Sequence, residues 1–112
     1  MTRLILVTTL IGTTTFGGAV EKTFIVPTDA KAKYTILDVG GHYPNRTITT
    51  KRVGPSGVGY SKRLYNCSEN TVKYLGAGDT LADMAHAKAD PKMTPIVPES
   101  IADYVGRQAC KR

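Results

Sequence analysis

At 112 residues the chain has room for one domain, and 15 basic against 9 acidic residues give it a net charge of +6. The charge argues against a binder of basic partners and leaves anionic neighbours open, such as envelope components, polyanionic glycans or nucleic acid.

Met1-Thr2-Arg3 carries one positive charge, and Leu4 to Phe16 follows as an uncharged run of Leu, Ile, Val and Thr. Gly17-Gly18-Ala19 then supplies small residues ahead of Glu21-Lys22. This is the pattern of a cleavable secretory signal, although a Thr-rich apolar run would also serve as a core strand. The expectation is a signal peptide over 1–19 and a single small α+β domain over 20–112. The apolar run is too short for a comfortable membrane span, and no cysteine follows it to take a lipid anchor. Without Arg3 the 15 basic residues become 14 against 9 acidic, a net +5. A charge of that size also keeps a small exported protein soluble.

A domain of this size hides only about 60–65% of its chain's surface, so its core is thin. Two cysteines in an exported chain point to a staple. A Cys67–Cys110 bridge closes a loop of about 43 residues, worth about 4 kcal/mol in the chain-entropy model.

Along the chain, Lys22–Val26 is a short β-prone run stopped by Pro27, and residues 28–33 are turn-like. Tyr34–Val39 resumes strand composition. Gly40–Asn45 is expected to be a flexible loop, with two glycines and a proline in six residues. Residues 46–75 predict a three-stranded antiparallel meander, turning at Gly54-Pro55-Ser56-Gly57 and at Ser68-Glu69-Asn70. Pairing Val53 with Val58 makes opposite residue numbers sum to about 111, and pairing Cys67 with Thr71 makes the next sum about 138. One face then carries Val53, Val58, Tyr60, Leu64, Val72 and Tyr74, the expected core side. The other carries Arg46, Arg52, Arg63 and Lys73 around Ile48, Tyr65 and Leu75.

Gly76-Ala77-Gly78 reads as a turn. Thr80 and Asp83 have capping-box spacing and open a short helix, with Leu81, Met84 and Ala85 on one stripe. Met93–Val97 is extended. Ser100 and Asp103 repeat the capping-box spacing and open a terminal helix to about Ala109, with Ile101, Tyr104 and Val105 inward. Cys110 falls about 140° from Val105 on helical geometry, so the helix is expected to loosen there.

Chemistry is sparse. The two histidines, His42 and His86, could serve as a general acid–base pair in a small basic enzyme or toxin acting on nucleic acid only if the fold brought them together. A zinc site needs three or four clustered ligands. With the cysteines bridged no local cluster remains, so neither a metal, a cofactor nor a catalytic residue is expected. Phosphate-loop and nucleophile-elbow motifs are missing. The best surface candidate is the basic face, Arg46, Arg52, Arg63, Tyr65 and Lys73. Cations interleaved with an aromatic could hold a phosphate, carboxylate or sulfated glycan. The plainer reading is a solvated charged face of an antiparallel sheet.

The run "YSKRLYNC", the following "TVKYLGAG" and the closing "TPIVPESIADYVGRQAC" resemble the small exported bacterial proteins of the surface-adhesin E family. The resemblance covers Tyr60 to Cys110. It implies an antiparallel sheet with a C-terminal helix docked on it and joined to it by a disulfide. It also implies a non-enzymatic envelope protein, which in the family's named member binds host matrix proteins. The partner expected for this chain is an anionic glycan, an envelope component or an extracellular protein, with nucleic acid disfavoured. An inhibitor of a partner enzyme, acting through the Gly40–Asn45 loop, is the third reading beside binding module and enzyme.

Overall fold

The computed structural model describes residues 19–111. The expected signal peptide lies outside these residues except for Ala19, where the first strand begins. Six strands follow one another across a single antiparallel sheet in sequence order: β1 (Ala19–Phe24), β2 (Lys33–His42), β3 (Asn45–Gly54), β4 (Gly57–Asn66), β5 (Thr71–Gly78) and β6 (Thr94–Pro95). Two short α-helices, α1 (Leu81–His86) and α2 (Ile101–Cys110), and a single 3-10 turn at Pro27–Asp29 complete the described chain. The α+β class, the meander and the docked terminal helix are all as the sequence predicts. The meander extends beyond 46–75 at both ends, to β1 and β6.

Short hairpins set the register. Val53 lies opposite Val58 and the expected pairing holds along the whole of β3 and β4, from Gly54 opposite Gly57 to Asn45 opposite Asn66. The β4–β5 pairing follows the expected sum only from Tyr60–Gly78 to Lys62–Gly76. Between Lys62 and Arg63 the register shifts, so Arg63 faces Tyr74 and Tyr65 faces Val72. Leu75 is the extra residue, a one-residue bulge that moves the start of β5 to the opposite face.

The segment 40–45 is a tight hairpin and not a flexible loop. His42 pairs with Asn45 across Tyr43-Pro44, whose peptide bond is cis. Gly41 has φ 79° and lies so close to the carbonyl of Asn45 that a Cβ would collide with it. That position requires glycine.

Along β3 and β4 the sheet's inside is the reverse of the expected one, while Val72 of β5 is buried as expected. Ile48, Tyr65, Val72 and Ile36 are buried together with Val105 and Ala109 of α2, whereas Val53 and Val58 are each 42% exposed. The face expected to be basic and solvated is the face that α2 covers. Ile48, Tyr65 and Val72 give this face an apolar centre, so closing α2 onto it removes apolar area from water, although Arg63, opposite Ile48, is buried along with it. Val26, Ala32 and Tyr34 form a second small cluster beside β1.

Helix α2 persists through Cys110 and ends at Lys111 in the left-handed region, φ 52°. The expected Val105 is fully buried, and the expected Ile101 and Tyr104 are partly buried against the apolar clusters; the buried stripe extends beyond them to Gly106 and Ala109. Gly106 is the reason. It sits over the Tyr65 ring, where a Cβ would come to 2.6 Å from a ring carbon. Centred on Gly106, the stripe includes Cys110 four residues later, only about 40° away. Cys110 thereby reaches Cys67 without unwinding, and the disulfide joins them with a Cα–Cα separation of 5.8 Å.

On the reverse face, α1 lies across the end of β5. A Cβ at Gly76 would collide with the carbonyl of Met84, and one at Gly78 would come to 2.6 Å from the Asp83 Cβ. The two glycines are therefore strand residues that admit a helix, not the turn their composition predicts. The α1 cap is as expected, with the Thr80 hydroxyl accepting from the Asp83 amide at 3.0 Å.

Candidate functional site

The two ends of α2 create the site. At its C-terminal end the disulfide holds the helix down. At its N-terminal end Ser100 caps the helix by accepting from the Asp103 amide at 3.1 Å, and Asp103 accepts from the Glu99 amide at 2.7 Å. Asp103 also holds Arg107 at 3.0 Å, and that bond raises the Arg107 pKa. Beside this capped end the sheet is not covered. A cleft of about 400 Å³ opens there, lined among others by Tyr34, Arg52, Ser61, Arg63, Tyr74 and Asp79. A second cleft of about 290 Å³ lies on the other side of Arg63, bordered by Tyr74, Asp90, Ile96 and Ser100.

The five expected anionic-ligand residues fare differently. Tyr65 is fully buried beneath α2, and its hydroxyl donates to the carbonyl of Ala102 at 2.6 Å. Burial pushes its phenol pKa up, and it presents nothing to solvent. Arg52 is committed to Asp29, donating from Nε at 2.7 Å and from a terminal nitrogen at 3.0 Å. Asp29 also accepts from the Tyr34 hydroxyl at 2.6 Å. The Arg52 bond, then the Tyr34 bond, holds the Asp29 carboxyl down at about 2. Burial, with that same hydrogen bond, pushes the Tyr34 phenol up to about 12. The bond to Asp29 in turn raises the Arg52 pKa.

Lys73 pairs with Leu64 and leaves the row, because the bulge reverses the start of β5. Arg46 is half-buried opposite Tyr65, with its Nε unpartnered. Arg63 is the unexpected one. It is 4% exposed, yet no carboxylate among the described residues lies within ion-pairing distance of it. Its terminal nitrogens donate to the Tyr74 hydroxyl at 2.9 Å and, weakly, to the Ser61 hydroxyl at 3.5 Å. Its guanidinium carbon stands 4.7 Å from the Tyr74 ring centre, and Nε has no partner.

The expected five are thus not one exposed surface. What the fold brings together in the larger cleft is Arg63 and Arg52, both anticipated, with Ser61, Tyr74 and Asp79, which were not. Ser61 was legible as the same-face neighbour of Arg63, two residues away on one strand. Tyr74 was assigned to the other face for want of the bulge.

The histidines are not brought together. His42 ends β2, while His86 belongs to α1, which lies on β5 and β4. Three strand spacings, about 14 Å, separate β2 from β5. The His86 ring nitrogen Nδ1 lies 2.8 Å from the carbonyl of Ala82 on its own helix. Among the described residues no group of three or more His, Cys, Asp or Glu is placed to hold a metal ion. Chemically, the arrangement can bind: it offers one buried cation, two hydroxyls, an aromatic wall and an acidic rim.

Compared with known proteins, the chain matches no family model, no curated sequence and no solved structure. The disulfide fits an extracellular or periplasmic protein. No helix among the described residues is long and apolar enough to cross a membrane.

Proposed function

We propose that the chain is an exported, non-enzymatic bacterial envelope protein of the surface-adhesin E kind, acting as a binding module through the cleft at the N-terminal end of α2. A signal peptide over residues 1–19 sends it to the periplasm or outside the cell. The observation that carries the binding reading is the cleft itself. A helix clamped to the sheet at one end leaves, at the other, a concave polar and aromatic surface of about 400 Å³, large enough for a small ligand or a projecting side chain. The partner of that cleft is an anionic glycan, an envelope component or an extracellular protein.

Capture of envelope components on the oxidised protein tests this reading. Gly59 lines the cleft, and a Cβ added there meets nothing within 4 Å. Gly59→Phe therefore fills the cleft from the sheet side with little strain. Retention by the native protein and loss in Gly59→Phe, at unchanged melting temperature, is the expected result. Equal retention by both proteins sinks the proposal. Mass spectrometry of exported material should also show an N-terminus near Val20 and a mass two hydrogens below the reduced form; an intact Met1 in the exported fraction refutes the signal.

A further inference from the structure

Two arginines, Arg52 and Arg63, line the same cleft on the same face of the sheet, and the fold treats them oppositely. Arg52 is met by the carboxylate of Asp29 through two hydrogen bonds. Arg63 is more deeply buried and is met only by neutral groups. An arginine keeps its charge at any physiological pH, and a buried charge without a counter-ion is among the most costly arrangements a fold can hold. Packing gives no reason for it, since a methionine would fill similar space without the charge. We propose that Arg63 is the receptor for a carboxylate group, carried by a small ligand that enters the larger cleft. The inference rests on the cleft being a binding site and adds the chemistry of what it takes.

The surroundings select that chemistry. The Ser61 and Tyr74 hydroxyls accept from Arg63, so each retains its own proton to donate. Neither donates to another group among the described residues. A carboxylate reaching the guanidinium therefore meets charge-assisted donors and two hydroxyls. Asp79 lines the cleft without pairing to Arg63, and the Arg52 charge is already neutralised. One uncompensated positive charge beside an acidic rim suits a monoanion and disfavours a phosphate dianion. The exposed part of the Tyr74 ring leaves an apolar wall for the rest of the ligand.

The test uses acetate as the probe, with chloride matched for ionic strength and inorganic phosphate as the competing anion. Titration of the oxidised protein is followed by the Arg63 Nε–H resonance and by melting temperature. The expected result is a saturable shift of that resonance with acetate, a melting temperature that rises with acetate above the chloride control, and a weaker response to phosphate. Arg63→Met should melt at or above the native temperature and lose the acetate dependence; Ser61→Ala should weaken the response several-fold. A flat Nε–H titration in the native protein overturns the proposal, whether or not Arg63→Met folds. A response to phosphate equal to or larger than that to acetate overturns the choice of carboxylate. The readouts separate the two ideas. Acetate binding without any envelope capture leaves this site standing and removes the envelope-binding reading, whereas capture sensitive to Gly59→Phe without acetate binding does the reverse.

Discussion

The two ends of α2 rest on the same face of the same sheet, and they have opposite characters. Towards Cys110 the interface is dry and closed. Gly106 lies on the Tyr65 ring, Val105 and Ala109 pack on Ile48 and Val72, and a covalent bond finishes the seal. Towards Ser100 the sheet's interior row turns polar, with Ser61, Arg63 and Arg52 in place of apolar side chains, and clefts remain on either side of Arg63. The contrast teaches a division of labour within ten residues of helix. One end supplies the stability that permits the other to carry an uncompensated charge.

The sharpest break falls on the closed end. Cys67→Ser with Cys110→Ser opens a loop closed over a sequence separation of 43 and should cost about 4 kcal/mol, measured by denaturant unfolding. In a domain this small that lowers the melting temperature by about 20 °C or more. A loss below about 1 kcal/mol would show that packing, not the bridge, seals this end. Gly106→Ala comes next. Its new methyl meets the Tyr65 ring at van der Waals overlap, and the helix must rise by a fraction of an ångström. A loss of about 1–3 kcal/mol is expected, with the Tyr65 near-UV circular dichroism changing in step.

Substitutions at the open end should be milder. Ser100→Ala removes the α2 cap and should cost about 1 kcal/mol, with the disulfide-anchored turn retaining its amide-exchange protection and only the first turn losing it. Equal loss of protection along all of α2 would erase the distinction between the ends.

The smallest effect belongs to the Asp29–Arg52–Tyr34 group at the cleft's edge. The Asp29 carboxyl is held at about 2, below its ordinary 3.8. In the acid range the unfolded chain therefore binds more protons, and stability rises with pH there. The group's contribution is fully present above about pH 5 and disappears as pH falls towards 2. Solvent contact keeps it modest. Asp29→Asn should flatten this part of the acid melting curve, and an unchanged acid slope would show that other carboxylates govern it.

Local chemistry made much of this legible. The β3–β4 register followed from one four-residue turn, because a hairpin turn transmits its pairing down both strands. Both helix starts followed from Thr80 and Ser100, whose hydroxyls need only the amide three residues on. The bridge followed from having two cysteines and a thin core. Of the candidate site, Arg52 and Arg63 were legible, each for the wrong environment.

What the tertiary structure alone decided was inside and outside. Alternation sorts a strand's residues into two sets, but it does not say which set a distant helix will cover. That choice came from Gly106 meeting Tyr65, Gly76 and Gly78 admitting α1 on the opposite face, and Leu75 bulging to swing Val72 and Tyr74 to the α2 side. Each is a contact between packed elements or an irregularity of one residue, and neither leaves a periodic trace. The same contacts turned Arg63 from a surface cation into a buried charge beside an open cleft, because burial is a property of what packs above a residue and not of the residue itself.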